Sequence, residues 1–170
     1  LVTGHETTAT SAAWLVERAL RHPEVYARLR DELRTVAGDE PLTGELVTRM
    51  PYLDATVRES LRVRPVFSYV GRKLHAPLQV DRWLLPEGTT AVACIALAHA
   101  DAARWPSPER FAPERFLGRK PEPYTWIPFG GGARRCIGMA LALLELQILI
   151  VVVARRRELT LASAFASRVT

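Results

Sequence analysis

The sequence is short of cysteine, of long apolar runs, and of any repeated or low-complexity segment. Two cysteines, Cys94 and Cys136, exclude a disulfide-rich scaffold, and nothing in their spacing suggests a bridge between them. No CxxC and no paired histidines accompany Cys136, so a four-ligand zinc site is not expected. The most apolar stretch, Met139 to Ala154, contains Glu145 and Gln147 and stops at Arg155-Arg156-Arg157. It falls short of the roughly 20 apolar residues that cross a bilayer, so a buried core helix is expected and no membrane segment. Twelve prolines and ten glycines are ordinary for a folded chain and exclude a collagen-like or disordered one. The first residues carry no basic head and no small-residue cleavage site of a signal peptide, which points to a cytoplasmic protein. Leu1-Val2-Thr3-Gly4-His5-Glu6 reads instead as the interior of a longer chain.

Within those exclusions, 170 residues suit one domain with a sizeable core. Lys and Arg number 23 against 18 Asp and Glu, a net charge of +5, but the basic residues are spread along the chain. No aromatic residues interleave with a basic stripe, so nucleic acid is not an expected partner. Solvated helix faces are the plain reading of these charges. A basic face for an acidic protein partner is the sharper one.

Periodicity and punctuation give a mostly helical chain with a small β region. Ala13, Leu15, Val16, Ala19 and Leu20 suit a helix from Thr3 to about Leu20, ending before His22-Pro23. Val25, Leu29, Leu33 and Val36 share one face of a second helix from Pro23 to about Val36, with Gly38 as its C-terminal cap. Thr43 is placed to cap a short helix over 44–49, and Pro51 precedes a helix from about Tyr52 to Val63. Strands are expected over 66–74, 77–84 and 90–95, with a turn at Leu85-Pro86-Glu87-Gly88-Thr89 and a short helix over 96–100. The segment 101–128 is long and irregular. Its Trp105, Phe111, Phe116, Tyr124 and Trp126 call for burial, and long ordered loops of this sort are often functional. A last helix runs from about Gly138 to Arg155, and the tail from Glu158 to Thr170 lacks strong strand signals.

Chemistry concentrates in Phe129-Gly130-Gly131-Gly132-Ala133-Arg134-Arg135-Cys136-Ile137-Gly138. A cysteine that follows a glycine-rich loop and stands before a helix N-terminus, beside two arginines, has the surroundings that favour a thiolate. A buried structural cysteine is the plainer alternative. Glu59 and Arg62 share a helix face at i, i+3, which alone reads as a weak surface ion pair. Thr3-Gly4-His5-Glu6-Thr7-Thr8 alone reads as a helix start.

Taken together, these segments resemble the haem-thiolate monooxygenases of the cytochrome P-450 family. Phe129, Gly132, Arg134, Cys136 and Gly138 match the family's haem-binding signature, Glu59-x-x-Arg62 its Glu-x-x-Arg motif, and Pro113-Glu114-Arg115-Phe116 the companion whose arginine completes a buried charge network. Gly4-His5-Glu6-Thr7-Thr8 is similar to the oxygen-activating segment, in the form that bacterial members carry. The resemblance implies that Cys136 is the proximal iron ligand of heme b (iron protoporphyrin IX). It implies that Arg134 pairs with a haem propionate, that Phe129 packs near the sulfur, and that Gly132 and Gly138 allow close approach. Thr7 and Glu6 become the catalytic proton relay, with Gly4 leaving room for dioxygen. Arg72 matches a second propionate-binding arginine, against the plain reading of a strand-edge charge. Val66, Phe67, Ser68 and Tyr69 fall in the substrate-lining segment. Two positions depart from the pattern: Thr3 stands where Ala or Gly is commoner, and Ala100, in His99-Ala100-Asp101, where a basic residue is usual.

The implied protein inserts one atom of dioxygen into a small organic substrate. Its electrons come from NAD(P)H through a ferredoxin or flavoprotein reductase, which the basic face near Arg135 would receive. The match covers residues 1–170 as one partial domain, the C-terminal portion of the family fold, with the N-terminal part absent. A truncated, inactive remnant or a haem-binding sensor without oxygenase activity is the alternative. Standing alone, the chain is expected to expose much of the apolar face of its opening helix.

Overall fold

Proline and a threonine cap punctuate the first half of the chain. In the computed structural model, which describes residues 2–157 and 159–161, helix α1 spans Val2–Arg21, α2 Pro23–Ala37, α3 Gly44–Thr48 and α4 Pro51–Val63. Pro23 and Pro51 occupy the first turns of α2 and α4, where the missing N–H removes nothing the helix would use. Thr43 Oγ1 accepts the amide of Leu46 at 3.2 Å and so opens α3, as its position predicts. Gly38 closes α2 at φ +49°, its N–H donating to the Arg34 carbonyl. The amino end of α4 is capped from another helix: Glu32 of α2 accepts the amides of Tyr52 and Leu53, both at 2.8 Å.

Helix α6, Met139–Arg156, packs against α1, α2 and α4. Leu15, Leu29, Leu53, Leu146 and Ile150 from the four helices are all but sealed from solvent. Each contributes roughly 1.5–3 kcal/mol by leaving water. The most apolar segment of the sequence is thus a core helix, and among the described residues no helix is long and apolar enough to cross a membrane. The opening helix departs from expectation. Ala12, Leu15 and Ala19 are buried, Val16 and Leu20 pack half-buried on the same core, and no large apolar residue of the described part of α1 is exposed.

The β region is small and antiparallel. Strand β1, Tyr69–Lys73, pairs with β4, Thr90–Cys94, from Tyr69 opposite Cys94 to Lys73 opposite Thr90. Between them β2, Leu78–Val80, and β3, Trp83–Leu85, form a separate hairpin. The single strand expected over 77–84 is therefore broken in two. Asp81 turns the chain with φ +50°, a conformation Asp tolerates, and its carbonyl accepts the Gln79 side-chain amide at 2.6 Å. Helix α5, Ile95–Ala100, follows β4 directly.

From Asp101 to Gly138 the chain is irregular apart from two 3₁₀ turns, Pro113–Phe116 and Gly132–Arg134. Trp105, Phe111 and Phe116 are buried and Trp126 half-buried, as expected. Tyr124 is the exception at 73% exposed; its ring lies over the backbone of Gly131 instead of entering the core. The architecture is mostly α with a small antiparallel β region. Of the tail beyond Arg157, only 159–161 are among the described residues.

Candidate functional site

Helix α4 is the platform on which the site is built. Glu59 and Arg62 lie one turn apart with side chains 0% and 1% exposed, and they pair twice: Arg62 Nε to Glu59 Oε2 at 2.7 Å and Nη2 to Oε1 at 2.8 Å. Glu59 Oε1 also accepts the Ala112 amide at 2.9 Å and Arg115 Nε at 3.3 Å. The remaining N–H groups of the two arginines donate to backbone carbonyls. Arg62 reaches His99 and Pro108 at 2.8 Å each, and Arg115 reaches Pro106 at 2.6 Å and Ser107 at 2.7 Å. The guanidinium of Arg62 also stacks over the Trp105 ring at 5.3 Å. The weak surface pair is thus excluded. This is a buried network that fixes the path of the irregular segment 99–115 on α4.

A second set of contacts ties α4 to the entrance of the cysteine loop. The indole N–H of Trp126 donates to the Arg58 carbonyl at 3.1 Å, and the Arg58 guanidinium lies over the same ring at 5.2 Å. One residue on, the amide of Ile127 donates to Nε2 of His99 at 2.9 Å. His99 Nδ1 stands 3.0 Å from the Arg62 carbonyl. An Nε2 that accepts from an amide leaves Nδ1 as the protonated nitrogen, so the imidazole is neutral. Burial, reinforced by the Arg62 charge and opposed by the bond to the Arg62 carbonyl, depresses its pKa to about 4. The sequence reading singled out the tripeptide His99-Ala100-Asp101 only for its departure at Ala100. A buried histidine whose partners lie 28 and 37 residues away gives no local signal.

The loop closes on itself. The Gly130 amide donates to the Ile127 carbonyl at 2.9 Å, and the Cys136 amide to the Phe129 carbonyl at 2.9 Å. Phe129 meets the cysteine through this carbonyl, while its ring packs edge-on against Trp126 with centroids 6.1 Å apart. Gly132 adopts φ +65° with open space where a Cβ would stand, so glycine is needed there for its backbone and not for clearance. Gly131 is the position of close approach: a Cβ would sit 3.3 Å from the Tyr124 ring. Gly138, the N-cap of α6, would place a Cβ at an ordinary 3.9 Å from Cys136 Sγ, so the thiol lies beside the residue that opens that helix.

Cys136 is exposed, which excludes the buried structural cysteine. Arg134 and Arg135 flank it in the open, and neither has a carboxylate partner among the described residues. Ile137 beside it is fully exposed. No group of three or more His, Cys, Asp or Glu side chains that would hold a bare metal ion occurs among the described residues.

The other predicted site residues lie on separate elements. Thr7 is inside α1, not at its start; its hydroxyl donates to the Gly4 carbonyl at 3.2 Å, and the Ser11 hydroxyl donates to the Thr7 carbonyl at 2.9 Å. Glu6 is exposed one position earlier. Arg72 is exposed on β1, bonded at 2.8 Å to the neighbouring Gly71 carbonyl. Phe67 and Tyr69 are exposed and Val66 is half-buried.

Comparison with known proteins shows the family of the chain. A family model described as cytochrome P-450 matches residues 1–164. A protein designated cytochrome P-450 135B1 of Mycobacterium bovis is 42% identical over 160 residues, covering 94% of this chain and 33% of the relative. One designated cytochrome P-450 138 of Mycobacterium tuberculosis is 37% identical over 169 residues, covering 99% of this chain and 36% of the relative. A third, designated cytochrome P-450 135A1 of the same species, is 36% identical over 162 residues, covering 95% and 33%. The chain spans about a third of the length of these relatives.

Proposed function

The chain belongs to the cytochrome P-450 family, and from that premise we propose that it forms the cysteine-ligand side of a haem-dependent monooxygenase acting on a small organic substrate. Electrons come from NAD(P)H through a ferredoxin or flavoprotein. The observation that carries the reading is Cys136, exposed on a loop closed by its own amide and lying beside Gly138, the N-cap of α6.

The donor set fits heme b. It offers one soft thiol, and no group of three or more His, Cys, Asp or Glu side chains occurs among the described residues, which suits a single thiolate ligand to haem iron better than a chelate of a bare cation. Arg134 is an exposed cation without a carboxylate partner among the described residues, which suits a propionate. When bound, the haem supplies the iron at which dioxygen is activated, and a thiolate ligand favours O–O cleavage.

The chain's own residues divide the remaining work. Cys136 Sγ would supply the iron ligand from the loop that leads into α6. Gly132 supplies the left-handed backbone of the loop, Gly138 caps α6 beside the thiol, and Phe129 anchors the loop's base. Arg134, with Arg72 from β1, orients the cofactor by its carboxylates. The Thr7 hydroxyl would hold a proton for the side at which dioxygen binds, resupplied by way of Glu6. Arg135 contributes to a basic face for an acidic redox partner.

The test is Cys136→Ala in the full-length, haem-loaded protein. The reduced protein with carbon monoxide is expected to lose its thiolate-type spectrum entirely. Retention of that spectrum by the variant refutes the ligand assignment.

A further inference from the structure

We propose that His99 is a positioning residue for the cysteine loop: its ring, bridged between the Arg62 carbonyl and the Ile127 amide, sets where the chain enters the loop that carries Cys136. The inference rests on the reading of that loop as the haem-binding segment.

Three features of the contact set carry it. First, the Arg62 carbonyl is one of the last four of α4, which have no intrahelical partner, and the His99 ring supplies one. Arg62 returns a bond from Nη1 to the His99 carbonyl at 2.8 Å, so ring and backbone of His99 are both pinned to one residue, itself locked by Glu59. Second, Ile127 is followed by Pro128, which has no N–H. The Ile127 amide is therefore the last backbone donor before Phe129, and His99 Nε2 takes it. Third, both loop closures start within two residues of that bond. The Ile127 carbonyl accepts from Gly130, and the Phe129 carbonyl accepts from Cys136. A shift of Ile127 moves both closures and the thiol with them. Trp126 on the Arg58 carbonyl is a parallel anchor one turn earlier in α4, so two adjacent loop residues are registered on two successive turns of one helix.

Only one tautomer serves this geometry, and only two other side chains imitate half of it. Gln places an oxygen where His carries Nε2, and keeps an acceptor for Ile127. Asn places its amide nitrogen where His carries Nδ1; it keeps the donor to Arg62 and leaves the Ile127 amide without an acceptor.

The experiment uses the full-length, haem-loaded protein in its diamagnetic reduced carbon-monoxide form. Nitrogen-15 histidine spectra at neutral pH are expected to show His99 with Nδ1 protonated and Nε2 bare. The opposite tautomer overturns the proposal without recourse to any variant. Hydrogen exchange at the Ile127 amide is expected to stay slow in His99→Gln and to rise roughly tenfold in His99→Asn, the factor that loss of one buried hydrogen bond gives. The thiolate-type fraction of the carbon-monoxide complex is expected to follow the same split, high in Gln and reduced in Asn. Equal behaviour of the two variants, or unchanged Ile127 exchange in Asn, overturns the positioning role. A wild-type protein that lacks the thiolate-type spectrum but shows the Gln–Asn split in exchange upholds the anchor and removes the haem-ligand reading.

Discussion

Four hydrogen bonds converge on the two oxygens of Glu59, from Arg62, Arg115 and the Ala112 amide, in a site closed to water. Removing the carboxylate strands Arg62 as a buried charge, and such a loss costs on the order of 3–5 kcal/mol, where an exposed helical pair costs about 0.5 kcal/mol. Glu59→Ala is therefore expected to lower the urea midpoint of the full-length protein by an amount equivalent to at least about 3 kcal/mol. A loss below about 1 kcal/mol would show that water reaches the network. The motif itself was legible in the sequence as a pair at i, i+3. What turned it from a weak pair into a strong one is burial under segment 99–115, which no local pattern announces. His99 is the sharper case, since its ring acts only through partners distant in sequence. Its folded pKa of about 4 lies below the unfolded value of 6.5, so between these values the unfolded chain binds the extra proton. The stabilisation is complete above pH 6.5, declines as the pH falls toward 4, and amounts to about 3 kcal/mol. Arg62 faces the ring and disfavours its protonation, while Glu59 and Arg115 lie behind Arg62. Urea midpoints of wild type and His99→Gln, compared between pH 7 and 4, are expected to converge as the pH falls. A constant difference would mean that His99 does not titrate in this window.

At the scale of elements, boundaries set by the backbone itself were legible. Pro23 and Pro51 start helices because a missing N–H is harmless there, Thr43 caps α3, and Gly38 ends α2. Boundaries set by distant partners were not. The split of residues 77–84 into a hairpin turns on Asp81, whose left-handed backbone leaves no mark in an alternating apolar pattern. The cap of α4 comes from Glu32 across a helix–helix contact, a role that α2's own periodicity conceals. That cap is measurable. Burial raises the Glu32 pKa, against the pull of the two amides and Arg28, so the carboxylate is held there at a desolvation cost that its bonds must offset. Glu32→Ala leaves the Tyr52 and Leu53 amides without acceptors and is expected to cost about 1–2 kcal/mol. Hydrogen exchange at those two amides should accelerate while Val57 and Leu61 stay protected. Uniform acceleration along α4 would place the effect in the whole helix and not in its cap.

Across the whole molecule, apolar exposure is unevenly distributed, and the unevenness follows the proposed division of labour. The leucines of α1, α2 and α4 are buried or half-buried, and α1, expected from the sequence to show a bare apolar face, buries it against α4 and α6. Large exposed apolar side chains are commoner on the β region, α5 and the cysteine loop, with Phe67, Trp83, Leu84, Leu97 and Ile137 among them, while α6 shows Leu141, Ile148 and Leu149. These are the elements that carry Arg72, the substrate-lining segment and Cys136 in the proposed function. Sequence patterning missed this because a short, half-paired strand and a glycine-rich loop have no period from which a face can be read. Scattered apolar residues are normal on a protein surface, whereas a contiguous patch of several hundred Å² drives association. The 170-residue chain on its own is therefore expected to bind the dye ANS and to sediment at micromolar concentration as species heavier than 19.0 kDa. Leu97→Glu and Trp83→Glu should reduce both signals, since a charge at each breaks the exposed face without touching the helical core. A dye-silent chain sedimenting at 19.0 kDa would show instead that these side chains are dispersed, and that no shared apolar face joins the β region to the cysteine loop.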